Sequence, residues 1–375
     1  MPLGHLKRRE LIALLGGAAG WPLAARAQQS ERTRRVGVLM STRADDVEGQ
    51  ARIAAFVKGL QQSGWAIPGN VQIEIRWSGG DPDSIRKYAV ELVALAPDVI
   101  LASGGAVVGP LLQATHTAAL ASEASGQRGD SKMRAPSASE DARERAGATR
   151  PEPGSSARAV PIVFTLTPDP VGAGFVQSLA RPGGNATGFT SIEYEMSGKW
   201  LELLREIAPR VTRVAVLRDP TVPAGIGQFA VLQSVAPSLA IELSAISGRD
   251  ASEIEGAVME FARSPNGGLI VLGSALTVLH RELIIALAAR HALPAVYPGS
   301  YFVSAGGLLS YSADSTEPHR RAAGYVDRIL KGQKPANLPV QNPIKYELAI
   351  NLKTARTLGL QIPDRLFARA DQVVE

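Results

Sequence analysis

The strongest constraint on the fold is a regular alternation of short apolar runs with amphipathic segments of helical periodicity. Arg35–Met40 is an apolar run with the length of a buried strand, and Ile53, Phe56, Val57 and Leu60 follow it at helical spacing. The same rhythm continues to residue 305, with helical segments of about 10–15 residues between strands. Strands joined in this way form βαβ units around a mostly parallel sheet, so we predict an α/β protein.

Two series of these units follow one another along the chain, over residues 34–190 and 191–305. The length of 375 residues exceeds one ordinary compact domain, and a hydrophobic content of 45% is enough for two cores. We therefore expect two Rossmann-like lobes, each built on a parallel sheet.

An export signal is predicted at the amino terminus. Basic residues at 7–9 precede an apolar run over 11–23 that is too short to span a bilayer. Residues 25–27 (Ala-Arg-Ala) match a cleavage site, so 1–27 is a predicted signal peptide cleaved near Ala27. The Arg-Arg pair also suits the twin-arginine route, and a buried or interfacial helix is the alternative interpretation. We expect the mature protein in the periplasm.

Composition excludes several kinds of site and partner. The sequence has no cysteine, which excludes disulfides, thiolate metal sites and a cysteine nucleophile. Removal of the predicted signal takes away four basic residues and one acidic residue, leaving 36 basic against 34 acidic residues. A nearly neutral chain gives little electrostatic reason to expect nucleic acid as a partner. After the signal, no segment has the roughly 18 apolar residues that a membrane-spanning helix needs.

Residues 121–159 interrupt the alternation. This stretch is rich in Ser, Gly, Ala and Pro, carries charges of both signs and contains no aromatic residue. Because it has too little apolar surface to bury, we predict a disordered surface insert, with a partner-binding or tethering role as the alternative.

The sequence contains no pattern typical of catalysis or of a cofactor site. Residues 172–174 (Gly-Ala-Gly) lack the third glycine of a dinucleotide fingerprint, and 181–188 (RPGGNATG) lacks the lysine of a phosphate-binding loop. His280 and His291 face different directions around the predicted helix, so they do not form a metal pair. No Gly-X-Ser-X-Gly nucleophile motif occurs. We expect no enzyme activity, no cofactor and no metal.

Small polar residues directly follow several predicted strands, at the end of the sheet where open α/β folds form their ligand crevice. Hydroxyls and helix N-terminal N–H groups suit an anionic head group, and Asp169 or Asp219 suits an ammonium group. Tyr194, Tyr297 or Tyr301 could cover an apolar body. The alternative is that these are ordinary turn and cap residues. The residues after strands are Ser41, Thr42, Ser103, Gly104, Thr167, Asp169, Asp219 and Ser274.

Four segments of the chain resemble one family. They are KRRELIALLGGAAGWPLAARAQQ (7–29), PIVFTLTPDPVGAGFVQSLARPGGNATGFT (161–190), YVDRILKGQKPANLPVQNPIKYELAINLKTARTLGL (325–360) and RADQVVE (369–375). In these segments the chain resembles the substrate-binding proteins of ABC transporters, in the branch related to tryptophan- and tyrosine-binding components. The resemblance covers the mature chain except 121–159, which is an insert relative to the family.

The resemblance implies a type I periplasmic-binding-protein fold, in which two α/β lobes are joined by three crossover strands. These crossings are expected near 185–191, 304–312 and 339–350. The implied division is lobe I over 34–188 and 306–338, lobe II over 189–305 and 341–362, and a C-terminal tail over 363–375.

The resemblance also implies where a ligand binds. Loops of lobe I would hold the ligand's head group, and lobe II would close over the remainder. Carried over by position, lobe I contributes Ser41, Ser103, Gly104, Thr167 and Asp169, lobe II contributes Tyr194, Asp219, Ser274 and Tyr301, and Asp314 is a further candidate.

These features predict a periplasmic solute-binding component of an ABC importer. It would bind a small organic ligand, either amino-acid-like or an aromatic or carboxylate compound, by hinge closure and deliver it to a permease and its ATPase. A receptor that signals to a membrane kinase or chemoreceptor is the alternative. An enzyme on a Rossmann-like sheet would need a fingerprint that is absent, and a sugar-repressor-like regulator would need a helix-turn-helix before Val36. We expect a monomer.

Overall fold

The computed structural model describes residues 33–131, 159–191 and 194–375. The predicted signal peptide, 1–27, lies outside the described residues, and so do residues 132–158 of the predicted insert. Two α/β lobes are present, as the alternation of strands and helices predicts.

Lobe I is built on a five-stranded parallel sheet. Its strands are β1 (Arg34–Met40), β2 (Val71–Trp77), β3 (Val99–Ser103), β4 (Ile162–Thr167) and β5 (Ala186–Thr190), and its first helices are α1 (Val47–Gln62), α2 (Pro82–Ala94) and α3 (Gly105–Ser131). The strand order is β2-β1-β3-β4-β5. β3 is buried at every position because helices cover both faces of the sheet, which explains its continuous apolar sequence.

Lobe II is built on a seven-stranded sheet in the order β12-β11-β10-β9-β8-β6-β7. Only the pairing of β10 with β11 is antiparallel among the strands of this sheet that the structure describes. Two apolar clusters lie on its opposite faces. The strands are β6 (Arg213–Arg218), β7 (Glu242–Ser247), β8 (Gly267–Val271), β9 (Ala295–Tyr297), β10 (Leu309–Ala313), β11 (Tyr346–Asn351) and β12 (Gln372–Val374).

The helices of lobe II connect these strands. They are α4 (Met196–Ile207), α5 (Ala224–Val235), α6 (Ala251–Ala262), α7 (Ala275–Leu279), α8 (Arg281–Arg290), α9 (Ser300–Ser304), α11 (Leu352–Thr357) and α12 (Asp364–Phe367). The remaining helix, α10 (Glu317–Leu330), belongs to lobe I. Short 3-10 turns lie at Ala236–Leu239 and Pro335–Asn337. The strongly amphipathic α10 returns to lobe I and packs along α1, with Ala323 against Gly59.

The chain passes between the lobes after β5, after β10 and after Gln341. The first and third passages run side by side, because Thr190 N donates to Gln341 O (2.9 Å) and Gln341 N donates to Gly188 O (3.0 Å). The Thr190 hydroxyl also donates to Asn342 Oδ1 (2.9 Å). These bonds hold two of the three connections together as one hinge.

The sheets differ at two places from the division predicted from the sequence. β10 lies between β9 and β11 in the second sheet, although the predicted division assigns 306–338 to lobe I. The predicted tail, 363–375, supplies the edge strand β12 and the fully buried Leu366 to lobe II. Leu309 and Leu366 both pack into the same apolar cluster of lobe II, which is the physical reason for both differences.

The predicted insert begins later than its composition indicates. α3 continues to Ser131, so 121–131 is helical rather than disordered. Extending an existing helix requires no new nucleus, and a polar stretch can therefore continue a helix that its own sequence would not start.

Gly188 is expected to be essential to the hinge. A Cβ at this position would collide with the backbone carbonyl oxygen of Phe164 in β4, which pairs with Gly188 in the sheet. We predict that Gly188→Ala lowers the free energy of unfolding by roughly 1–3 kcal/mol in urea denaturation. Gly184→Ala is the matched control, because no atom lies within 4 Å of a Cβ there. Equal stability of the two variants would contradict this account.

Candidate functional site

A cavity of about 1100 Å³ lies between the two lobes. It is lined by loops that follow strands of both sheets, as expected for the carboxyl ends of parallel strands. The fold therefore brings together polar residues that are far apart in sequence. Nine of the residues predicted from the sequence line this cavity, namely Ser41, Thr42, Gly104, Thr167, Asp169, Asp219, Ser274, Tyr301 and Asp314.

Ser103 is not among the lining residues, because its hydroxyl is directed to a buried histidine. Ser103 Oγ lies 2.8 Å from His319 Nε2, and Thr165 Oγ1 lies 2.9 Å from the same nitrogen. His319 Nδ1 lies 2.9 Å from the carbonyl oxygen of Ser315, which favours a proton on Nδ1 and an acceptor at Nε2. Burial lowers the pKa of His319 to about 3, and the nearby charge of Arg52 acts in the same direction. The neutral imidazole thus joins α10 to β3 and β4.

Two of the tyrosines proposed from the sequence also lie outside the cavity lining. Tyr194 donates its hydroxyl hydrogen to Asp169 Oδ2 (2.7 Å), so it connects the start of lobe II to a loop of lobe I. Burial, followed by the effect of Asp169, raises the pKa of Tyr194, and the phenol stays a donor. Tyr297 is buried in lobe II and stacks on Phe302, with ring centroids 5.2 Å apart. Sequence alone did not distinguish these supporting tyrosines from Tyr301.

The acidic residues of the cavity wall are all engaged by neighbouring groups of the chain. Asp219 accepts from the backbone N–H (2.9 Å) and the hydroxyl (2.6 Å) of Thr221, and Asp314 accepts likewise from Thr316 (2.7 and 2.8 Å). Asp81 caps α2, and this hydrogen bonding to Ser84 lowers the pKa of Asp81. The remaining pairs are Asp169 with Gly172 N and Tyr194, Glu347 with Lys345, and Glu48 with Ser315. Their first role is to hold loops in place.

An aromatic wall stands where lobe II meets the hinge, and sequence reasoning missed it. Trp200 Nε1 donates to the carbonyl oxygen of Tyr311 (2.7 Å), which fixes the indole beside β10. Tyr311 stacks on Tyr346 across the antiparallel strand pair, with centroids 5.7 Å apart. All three residues line the cavity, although Trp200 is only 3% exposed. Tyr311 and Tyr346 lie next to each other because β10 pairs with β11, and these two strands are more than 30 residues apart in sequence.

Arg52 was also missed, and it is the most unusual residue of the site. It lies on α1 with only 5% of its surface exposed, and it is one of the residues that line the cavity. Its Nε is 3.6 Å from Glu48 Oε1, and its Cζ is 5.7 Å from the ring centroid of Tyr301 in lobe II. The sequence does indicate that Arg52 is buried, because it falls within the apolar stripe formed by Ile53 and Phe56.

The two lobes touch at the rim of the cavity. Arg281 of α8 lies 3.5 Å from Asp46 at the start of α1, and its Cζ is 5.7 Å from the ring centroid of Tyr301. A Cβ placed on Gly80 in lobe I would lie 3.5 Å from the Cβ of Ala275 in lobe II. Contacts of this kind mean that the lobes are drawn together around the cavity.

Within residues 33–131, 159–191 and 194–375, no three His, Asp or Glu side chains are grouped so that they could hold a metal ion. Of the helices that the structure describes, none is long and apolar enough to cross a membrane.

Comparison with known proteins identifies the family. The family model described as ABC transporter substrate binding protein matches residues 152–374, which is more than half of the chain. The chain belongs to the ABC transporter substrate-binding protein family.

Individual relatives of this substrate-binding protein are distant in sequence. A tyrosine-binding protein from Clostridioides difficile (strain R20291) is 22% identical over 306 residues, covering 82% of this chain and 76% of that protein. The crystal structure of a conserved domain protein from Vibrio cholerae superposes with a TM-score of 0.74 at 23% identity, covering 91% of this chain and 99% of that one. An ABC domain in complex with L-Trp from Streptococcus pneumoniae gives 0.74 at 20% identity, covering 91% and 100%. The fold is that of type I periplasmic binding proteins, as the resemblance implies.

The buried histidine gives the substrate-binding protein a specific dependence on pH. Because burial lowers the pKa of His319 to about 3, the unfolded chain binds more protons than the folded one between about pH 6.5 and 3. The stabilisation is complete above about pH 6.5 and is lost as the pH falls through that window. We predict that His319→Gln reduces the slope of unfolding free energy against pH by up to about 1.4 kcal/mol per pH unit, measured by urea denaturation.

His116→Gln is the matched control for this measurement. His116 is exposed, so its removal should leave the slope unchanged. If His319→Gln and His116→Gln gave the same slope as the unaltered protein, His319 would not be neutral in the folded chain.

Proposed function

We propose that this protein is the exported solute-binding component of an ABC importer, which captures a small organic ligand between its lobes and delivers it to a permease and its ATPase. The observation that carries the proposal is the cavity of about 1100 Å³ whose walls come from both lobes. A ligand in this position contacts both lobes only when they are together, so its binding energy favours the closed arrangement. The protein itself catalyses no reaction.

The ligand class that suits the cavity is an amino-acid-like or aromatic carboxylate compound. In the aromatic wall, Tyr311 and Tyr346 are only partly buried and suit contact with an apolar or aromatic body, and Trp200 supports them from the core of lobe II. Ser41 and Gly104 line the cavity on the lobe I side, and the hydroxyl of Ser41 suits a polar head group. The tyrosine-binding relative and the relative in complex with L-Trp support this class.

Residue roles follow from the placement of each side chain. The nine residues that both the sequence and the cavity bring together are proposed as ligand contacts. Ser103 and Tyr194 are proposed to support the site without touching the ligand. Ser103 is hydrogen-bonded to His319, and Tyr194 is hydrogen-bonded to Asp169.

Export to the periplasm is part of the same proposal. It rests on the predicted signal peptide at 1–27 and on membership of a family that serves membrane transporters. A closed receptor can be presented to a permease only on the side of the membrane from which the ligand comes.

A thermal-shift screen tests ligand binding. Purified protein, unfolded and refolded to remove carried-over ligand, is screened against amino acids, aromatic acids, short-chain acids, nucleosides and sugars. A ligand at about 100 times its dissociation constant stabilises the folded chain by about 2.7 kcal/mol, so we expect a rise in Tm of several degrees for an aromatic amino or carboxylic acid.

The aromatic wall supplies the matched variants for this screen. Tyr311→Ala should weaken the hit about 3- to 10-fold through the lost ring contact, whereas Tyr88→Ala, on a helix face outside the cavity, should leave it unchanged. No shift with any compound, from protein shown to be folded, would contradict the proposed function.

Hinge closure can be tested with an introduced disulfide. The spacing between Gly80 and Ala275 falls within the range of Cβ distances in disulfides, and the chain has no other thiol. We predict that the Gly80→Cys, Ala275→Cys double variant forms a disulfide faster when the ligand found in the screen is present. When the disulfide has formed around the bound ligand, the variant should release the ligand at least about 100-fold more slowly than after reduction of the disulfide, as measured by dialysis.

The single variant Gly80→Cys controls for backbone strain, because Gly80 has a φ of +78° that side-chain-bearing residues rarely adopt. Disulfide formation at the same rate with and without ligand would argue against ligand-driven closure.

A further inference from the structure

One ion pair joins the two lobes directly. Arg281 Nη1 at the start of α8 lies 3.5 Å from Asp46 Oδ2 at the start of α1, and the two side chains are 22% and 12% exposed. Every other ion pair within the described residues has both partners in the same lobe. Because a mostly buried pair is screened by salt less than a pair on the open surface, its charges help to hold the lobes together.

A second contact joins the lobes at the same rim. The ring of Tyr301 in lobe II is close to the guanidinium of Arg281 in its own lobe and to that of Arg52 in lobe I. Each guanidinium carbon lies 5.7 Å from the ring centroid, and a cation over the face of a ring is attracted to it. We refer to Asp46, Arg52, Arg281 and Tyr301 as the rim latch. Its contacts across the cleft exist only while the lobes are together.

The core of lobe II positions the ring of the rim latch. Tyr297 and Phe302 are buried and stack with centroids 5.2 Å apart, and Tyr301 packs on Phe302 at 5.1 Å with 42° between the rings. Gly299 leaves room for this ring, because a Cβ there would collide with it. The ring that meets lobe I is therefore held by its own lobe and needs no ligand to place it.

Helix α1 connects the lobe I side of the rim latch to the hinge. Asp46 caps this helix, since Gly49 N donates to Asp46 Oδ1 (2.7 Å). One turn further on, Arg52 Nε lies 3.6 Å from Glu48 Oε1. The Ser315 hydroxyl, in the connection that follows β10, donates to the same Glu48 oxygen. The rim and one of the three connections between the lobes are thus tied to the same two turns of α1.

We propose that the rim latch keeps a fraction of the ligand-free protein closed and thereby sets the apparent affinity for any ligand. Neither Asp46 nor Arg281 lines the ligand cavity; both line a second cavity of about 510 Å³ at the rim. Their ion pair therefore forms without a ligand. The apparent affinity of a ligand rises with the fraction of protein already in the binding arrangement. The proposal rests on the closure of the lobes in the proposed function and on no particular ligand.

The Gly80→Cys, Ala275→Cys double variant measures closure in the absence of ligand. Its disulfide forms only when the lobes are together, so its equilibrium constant in a glutathione buffer is proportional to the closed fraction. The protein is unfolded and refolded to remove carried-over ligand and is then equilibrated with reduced and oxidised glutathione. Alkylation stops the exchange, and the disulfide and dithiol forms are quantified by mass spectrometry.

Two further substitutions in this background remove the ion pair from either side. Arg281→Gln should lower the equilibrium constant about 2- to 5-fold, the effect of one ion pair. Asp46→Asn should lower it about 2- to 5-fold as well, because the amide oxygen keeps the cap of α1 and only the charge is lost. Introduced together, they should lower it no further than the larger single effect, since each charge acts through the other.

Arg290→Gln is the matched control. Arg290 lies at the other end of α8 and pairs with Glu255 of its own lobe (3.3 Å), so its removal should leave the equilibrium constant unchanged. In the cysteine-free protein, Arg281→Gln should weaken binding of a ligand from the screen by about the factor found for the disulfide.

The outcomes separate the rim latch from the capture of a ligand. Equilibrium constants that are unchanged by Arg281→Gln and Asp46→Asn, single effects that multiply in the combined variant, or an equal loss with Arg290→Gln would each overturn the rim latch and leave the solute-binding function intact. Silence across the ligand screen counts against solute binding, whereas the closure measurement uses no ligand and gives its result independently.

Discussion

A buried neutral imidazole connects the hinge of this protein to the centre of its first sheet. His319 sits at the start of α10, immediately after the chain has returned from lobe II, and its two nitrogens contact Ser315, Ser103 and Thr165. Each of those contacts satisfies a polar group that burial would otherwise leave unpaired. The position of α10 relative to β3 and β4 is thereby fixed, and with it the edge of the cavity formed by Asp314, Ser315 and Thr316.

The polar residues around the cavity divide into those that hold loops and those that remain available. Asp219 and Asp314 have carboxylates occupied by the residues two positions later, which is the usual way in which a short loop is closed. Ser274 and Thr277 cap α7 reciprocally. Position after a strand therefore predicts nearness to the cavity, but the hydrogen bonds within each loop decide how much of a side chain's hydrogen-bonding capacity is left for a ligand.

This division explains what could be predicted from the sequence. The alternation of strands and helices predicts the two lobes, and the rule that ligands bind at strand ends predicts nine cavity residues. The same rule fails for Ser103, because its partner His319 is more than 200 residues away in sequence. It also misses Trp200 and Arg52, which lie inside helices and reach the cavity through tertiary packing. Local pattern cannot report contacts that exist only after distant segments meet.

The rim of the cavity brings positive charge from both lobes to one aromatic ring. Arg52 and Arg281 come from opposite lobes, and each lies 5.7 Å from the ring of Tyr301, so their centres are no more than about 11 Å apart. At an effective dielectric constant near 20 their repulsion is at least about 1.5 kcal/mol, whereas an acid about 4 Å from a guanidinium attracts it by roughly 4 kcal/mol. Glu48 and Asp46, at 3.6 and 3.5 Å, thus outweigh the repulsion. Asp46 of lobe I thus holds Arg281 of lobe II, and Glu48 neutralises Arg52 beside the same ring, so the charges at the rim favour contact between the lobes.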